Sequence, residues 1–283
     1  MLYFYIFIFL IGLSVGSFFN VIIFRFGRPA PERPSSDIDV PLSPVPNKTK
    51  NGSTHHQLRH WGGHWGGRSK CLNCNSIIRW FDLIPVLSYF VLKGRCRKCN
   101  IKISPLYPVV EISTATVLLL LFLNTPVVSY LTALNAFIIL LLILVTFFDI
   151  RYLIIPDKIL LLIAAGIVIL KLNLHMTDFY WLLITAFGLT SFFAILYVVS
   201  KGKWMGFGDI KFIFLMGFLL GYPMGYLAIV TAIWLAAIFS IILLVQKKAT
   251  AKTEIPFGSF LSASTIIFII FSNELQKISR YFY

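Results

Sequence analysis

The chain has 283 residues; 58% are hydrophobic and only 13% charged, against about 25% charged in an ordinary soluble domain. With a mean hydropathy of +0.84, this excludes a water-soluble globular enzyme and points to a polytopic membrane protein. The net charge of +14 is read as membrane topology rather than a nucleic-acid footprint, because of where the basic residues fall.

Eight apolar runs are predicted as membrane helices, over roughly 2–24, 105–123, 127–148, 153–170, 179–199, 210–222, 225–245 and 256–272. The first has no basic region ahead of it and no small-residue cleavage site, so it is expected to be a retained helix rather than a signal peptide. The segment 25–104 holds 14 of the 25 basic residues. Placing it in the cytoplasm puts 22 of the 25 on that side, leaving Lys171, Lys277 and Arg280 opposite, and sets the N-terminus outside. The expected fold is all-α and polytopic: a first helix over 1–24, a cytoplasmic segment over 25–104, and seven further membrane helices over 105–283.

The cytoplasmic segment has two unlike halves. Residues 27–70 are rich in Pro, Ser, Gly and His, lack a sustained apolar period, and are expected to be disordered. His55, His56, His60 and His64 lie in this tract and are read as solvated rather than as metal ligands. The half at 71–104 carries "CLNC" and "CRKC". Cys71, Cys74, Cys96 and Cys99 are the only cysteines in the chain. Each CxxC presents two thiolates from one tight turn, and two such turns complete a tetrahedral Zn²⁺ shell. A reducing cytoplasm favours a metal over disulfides, and four thiolates with no open position make the site structural.

Two of the eleven acidic residues stand apart. Asp149 closes the run "LLLILVTFFDIRYLIIPD" and Asp209 opens "DIKFIFLMGFLLG", both at cytoplasmic helix ends under the topology above. Charged groups at such positions face a bundle interior or a water-filled cavity. Two carboxylates meeting there can share a proton, one acting as general base on water and the other as general acid on a carbonyl. Gly206 and Gly208, ahead of Asp209, suit positive φ or close backbone approach. The alternative at this point is a pair of interfacial acids, ion-paired to Arg151 and Lys211. Glu111, about a turn inside the second run, is expected to be interfacial or bundle-facing. "GLSVG" at 12–16 matches a nucleophile-elbow pattern but lies inside a membrane helix, where Gly12 and Gly16 read as a packing face. No HExxH, phosphate loop or dinucleotide fingerprint is present.

Five stretches, in order, resemble the bacterial type IV prepilin peptidases, also called leader peptidases/N-methyltransferases. They are "GSFFNVIIFR", the cysteine segment running into "WFDLIPVLSYFVLKGRCRKCNIKISPLYPVVE", "FFDIRYLIIPD", "GFGDIKF" and "IPFGSFLSAS". "GFGD" also fits the GxGD pattern of presenilin-like membrane proteases. The resemblance implies Asp149 and Asp209 as catalytic residues, with Gly206, Gly208 and Lys211 completing their motif. It also implies the four cysteines as zinc ligands and residues 105–283 as an aspartic peptidase domain. The implied reaction removes a short basic leader after a glycine from prepilins and pseudopilins of pilus, secretion or DNA-uptake systems, at the cytoplasmic face of the bacterial inner membrane. It further implies methylation of the new N-terminus with S-adenosylmethionine. The implied partners are these substrates and membrane lipid, with no nucleic acid. The tract 27–70 departs from the family pattern. Two other classes stand as alternatives: a transporter relaying protons through intramembrane aspartates, and a zinc-bearing membrane scaffold.

Overall fold

The structure is a computed structural model and describes residues 2–26, 69–71, 73–74, 76–125, 129–172, 176–247, 253–272 and 274. All of 27–70 except Ser69 and Lys70, including the four histidines, lies outside the described residues. Regular structure among those described is helical: α1 (Leu2–Phe26), α2 (Leu87–Val91), α3 (Leu106–Asn124), α4 (Tyr130–Tyr152), α5 (Asp157–Lys171), α6 (Met176–Ser200), α7 (Phe207–Leu220), α8 (Met224–Val245) and α9 (Phe257–Ile270). A 3₁₀ turn at Trp80–Leu83 and two isolated antiparallel bridges complete it.

An apolar helix occurs at each of the eight expected places, but only five are long and apolar enough to cross a membrane: α1, α3, α4, α6 and α8. Helices α5, α7 and α9 have 15, 14 and 14 residues. At 1.5 Å per residue they reach about 21–23 Å, short of a hydrocarbon core about 30 Å thick. Among the described residues, length and composition by themselves qualify five of the eight expected spans. The cause is local: Pro156, Gly206 and Pro256 occupy the N-cap positions of the three short helices. Leu153, with φ of 54°, ends α4 in a left-handed turn, so the run expected from 153 starts only at Asp157.

The chain forms two compact units, Met1–Arg33 with Val110–Tyr283, and Pro34–Val109. In the larger unit α4 is the central helix, buried on most sides from Ile138 to Phe148 and packed against α1, α5 and α9. Backbones approach closely where side chains are smallest. A Cβ on Gly12 would lie 2.5 Å from Ala115 Cα, and one on Gly16 would lie 2.7 Å from Glu111 Cα, so α1 rests directly on α3. Gly217 lets α7 sit on α6 in the same way, where a Cβ would lie 2.9 Å from Ala186 Cα. Along α7, Asp209, Phe212, Ile213 and Met216 share one face by their spacing of three and four, and the last three are essentially fully buried. Asp209 is therefore on the inward stripe of its helix.

The smaller unit has two matching turns. Cys71 N–H donates to Ser76 O at 2.9 Å beside the Lys70–Ile77 bridge. Cys96 N–H donates to Ile101 O at 2.9 Å beside the Arg95–Lys102 bridge. The CxxC repeats thus become two knuckles of the same design.

Candidate active site

Asp149 lies one turn before the end of α4 and is 5% exposed. A buried carboxylate needs partners, and its Oδ2 accepts the Ser259 N–H at 2.6 Å. Ser259 is the third residue of α9, so its N–H has no carbonyl four residues back within the helix; it is shared between Asp149 Oδ2 and Pro256 O at 3.3 Å. Gly258 makes the approach possible: a Cβ there would stand 3.1 Å from Asp149 Oδ2 and 2.7 Å from Ile155 Cδ1.

Ile155, in the α4–α5 turn, also touches the segment bearing Asp209. A Cβ on Gly208 would lie 3.3 Å from Ile155 Cβ. Asp209 is half-buried in the first turn of α7, and its Oδ2 accepts the Gly206 N–H at 3.2 Å. The N-terminal ends of α7 and α9 and the turn entering α5 therefore converge on the C-terminal end of α4, which places both acids at one end of the larger unit.

The alternative pairing of these acids with neighbouring cations does not form. Lys211 Nζ binds Asp157 Oδ1 at 2.8 Å, tying α7 to α5. Arg151 donates its Nε–H to the Tyr152 hydroxyl at 3.0 Å and lies 4.1 Å over the Phe24 ring, while Tyr152 donates to Ile23 O at 2.9 Å. Gly206 does not use the positive φ open to glycine: its φ is −77°, and a Cβ there would lie 3.6 Å from Asp209 Oδ2. Gly208 is the position where close approach matters. Glu111 is bundle-facing, buried, and accepts from Asn20 Nδ2 at 3.3 Å. Asp157, Ile155, Gly258 and Ser259 were not singled out from sequence. The Pro-Phe-Gly-Ser start of α9 is the local signal that could have found the last two.

In the smaller unit the sulfurs of Cys71, Cys74, Cys96 and Cys99 all lie within 4.8 Å of one another. Cys71 and Cys99 Sγ are 3.8 Å apart, too far for a disulfide and close to the spacing that Zn–S bonds of about 2.3 Å require in a tetrahedron. The donor set therefore fits a tetrahedral soft-metal ion. Burial pushes the Cys71 thiol up to about 11, whereas the Ser76 hydroxyl 3.0 Å from Cys74 Sγ draws that thiol down to about 6.

Comparison with known proteins agrees with this arrangement. Residues 10–125 match the family model described as bacterial peptidase A24 N-terminal domain, and residues 136–241 match the type IV leader peptidase family. The prepilin leader peptidase/N-methyltransferase of Aeromonas salmonicida is 27% identical over 275 residues, covering 95% of this chain and 91% of the relative. The protein of that name from Pseudomonas aeruginosa is 26% identical over 274 residues, covering 95% and 90%. The one from Bacillus subtilis is 27% identical over 208 residues, covering 74% and 83%. No solved structure matches the chain. With five helices able to cross a bilayer and two consecutive family models spanning most of its length, this multi-pass membrane protein is an enzyme of the type IV leader peptidase family.

Proposed function

We propose that this enzyme is a membrane aspartic endopeptidase that removes the basic leader from prepilins and pseudopilins after a glycine, and then N-methylates the new terminus. The observation that carries the reading is that the start of α7, bearing Asp209, and the start of α9, bonded to Asp149, both approach Ile155 beside the end of α4. In this reading the two carboxyl groups hold one proton between them. The ionised carboxylate takes a proton from a water as its oxygen adds to the scissile carbonyl carbon. The protonated one donates to the carbonyl oxygen, giving a neutral gem-diol. Collapse breaks the C–N bond, with a proton passing to the leaving nitrogen and the dyad returning to its shared state. Ser259 N–H and Gly206 N–H hold the two carboxylates in orientation. With the segment 25–104 in the cytoplasm, a basic leader stays on that side and the scissile bond reaches the aspartates at the interface.

In this reading Cys71, Cys74, Cys96 and Cys99 hold a structural zinc that fixes the two knuckles together. The methylation half rests on the names of the relatives, with S-adenosylmethionine as donor. The experiment is co-expression with a pilin precursor from the same genome, reading the pilin N-terminus by mass spectrometry. Leader loss with the wild type but not with Asp209→Asn is the expected result, with an added methyl mass on the mature terminus. An intact precursor with both proteins, across several native pilins, would sink the peptidase reading.

A further inference from the structure

The four-cysteine unit carries an apolar face that is open to its surroundings. Trp80 is 78% exposed, Leu87 62%, Phe90 67% and Val91 73%, with Leu83 and Ile84 also exposed. All six fall within 80–91, where the chain runs as a 3₁₀ turn and the short helix α2, neither of which buries a residue. Contiguous exposure of this kind, led by a tryptophan, marks an interaction surface.

The charge beside it narrows the occupant. Arg79 precedes the patch, and Lys93, Arg95, Lys98 and Lys102 follow it, all exposed. Asp82 is the one acidic residue of 69–104, and it is held by Arg97 in a two-pronged ion pair at 2.7 and 3.1 Å. A face of tryptophan, phenylalanine and aliphatic groups bordered in the chain by exposed cations, one of them (Arg79) lying 5.7 Å over the Phe81 ring, is the composition of an interfacial lipid-binding surface. Its tether is short. Helix α3, long and apolar enough to cross a bilayer, starts at Leu106, only a few residues beyond Lys102, and its first turn belongs to this same compact unit.

We propose that the 80–91 face docks on anionic lipid, with Trp80, Leu87 and Phe90 entering the headgroup–acyl boundary and Arg79, Lys93 and the following cations meeting phosphates. An acidic protein would satisfy the cations but leave the aromatic and aliphatic groups in water; a second copy of this face would bring like charges together. The proposal stands on this unit alone and is independent of the peptidase reading.

The test uses the full chain with Trp80 as its sole tryptophan, the others replaced by phenylalanine, in vesicles of phosphatidylcholine with or without phosphatidylglycerol. Trp80 emission is expected to be quenched by lipid brominated near the headgroup end of the acyl chain, and shielded from aqueous acrylamide. The docked-to-undocked ratio should fall about fivefold with Arg79→Gln and again with Lys93→Gln, and fall likewise when phosphatidylglycerol is omitted. Unchanged acrylamide access with no quenching by brominated lipid would overturn the proposal. So would protection that appears only at high protein-to-lipid ratio, since a second copy would then be the occupant. Should the single-tryptophan chain fail to fold, a photo-cross-linking residue in place of Phe90 in the otherwise native chain decides the same question. Lipid adducts support the proposal, and their absence from folded protein rejects it.

Discussion

Asp149 accepts a hydrogen bond from a backbone N–H contributed by a helix more than a hundred residues downstream. Its orientation therefore depends on Gly258 as much as on its own helix. In the proposed mechanism, replacing either Asp149 or Asp209 by Asn removes the shared proton while leaving the side-chain volume intact. Cleavage should fall by about 10³-fold or more, with the protein still folded in the membrane; leader removal by mass spectrometry measures it. Gly258→Ala places a methyl 2.7 Å from Ile155 Cδ1 and 3.1 Å from Asp149 Oδ2. Such crowding costs about 1–3 kcal/mol, and here part of it turns the carboxylate. The expected result is a fall in kcat with KM little changed, whereas Gly206→Ala, with only an ordinary contact at 3.6 Å, should keep most of the activity. Sequence made the two aspartates and the four cysteines legible, because acids are rare in membrane helices and paired CxxC turns have few other uses. It left Gly258, Ser259 and Ile155 hidden, since their part in the site is a backbone donor and a close approach, neither of which has a side-chain signature.

Helices α5, α7 and α9 are short for a reason that also builds the site. Each begins just after a Pro or Gly cap, and the chain at these starts gathers around the end of α4. Elsewhere the contacts between helices depend on small residues. Gly12→Val or Gly16→Val would push α1 off α3, because any Cβ there falls within 2.7 Å of an α3 backbone atom. Melting in detergent should show a loss of about 1–3 kcal/mol; an unchanged midpoint would mean that α1 does not rest on α3 in the membrane. The Asp157–Lys211 pair joins α5 to α7, but both side chains are substantially exposed. Lys211→Met and Asp157→Asn should each cost at most about 1 kcal/mol, and the double variant no more than either single. The identities of these elements followed from hydropathy, whereas their lengths did not: a run such as 153–170 stays apolar through a left-handed Leu153 and a proline cap that end one helix and start another.

At the scale of the whole chain the two compact units differ in what holds them together. The larger is buried apolar surface from long helices; the described residues of the smaller bury few side chains and gather four thiols within 4.8 Å of one another. One zinc per chain is expected by elemental analysis. Chelation or Cys96→Ser should open residues 69–104 to protease while the helices of 106–272 stay protected, because a structural metal contributes folding energy only where it binds. Equal loss of protection in both parts would show that the units do not fold separately. By itself the sequence determined that this is a membrane protein, where its apolar helices lie, which thiols pair off in turns and which carboxylates are out of place. These properties are carried by local composition and spacing. The tertiary structure alone decided that α4 is central, that Lys211 binds Asp157 rather than the neighbouring aspartate, that the start of α9 brings a backbone donor to Asp149, and that the start of α7 reaches the same Ile155 turn. Such contacts join positions far apart in the chain. They depend on which backbones can approach within a few ångströms, a matter of packing that no local pattern encodes.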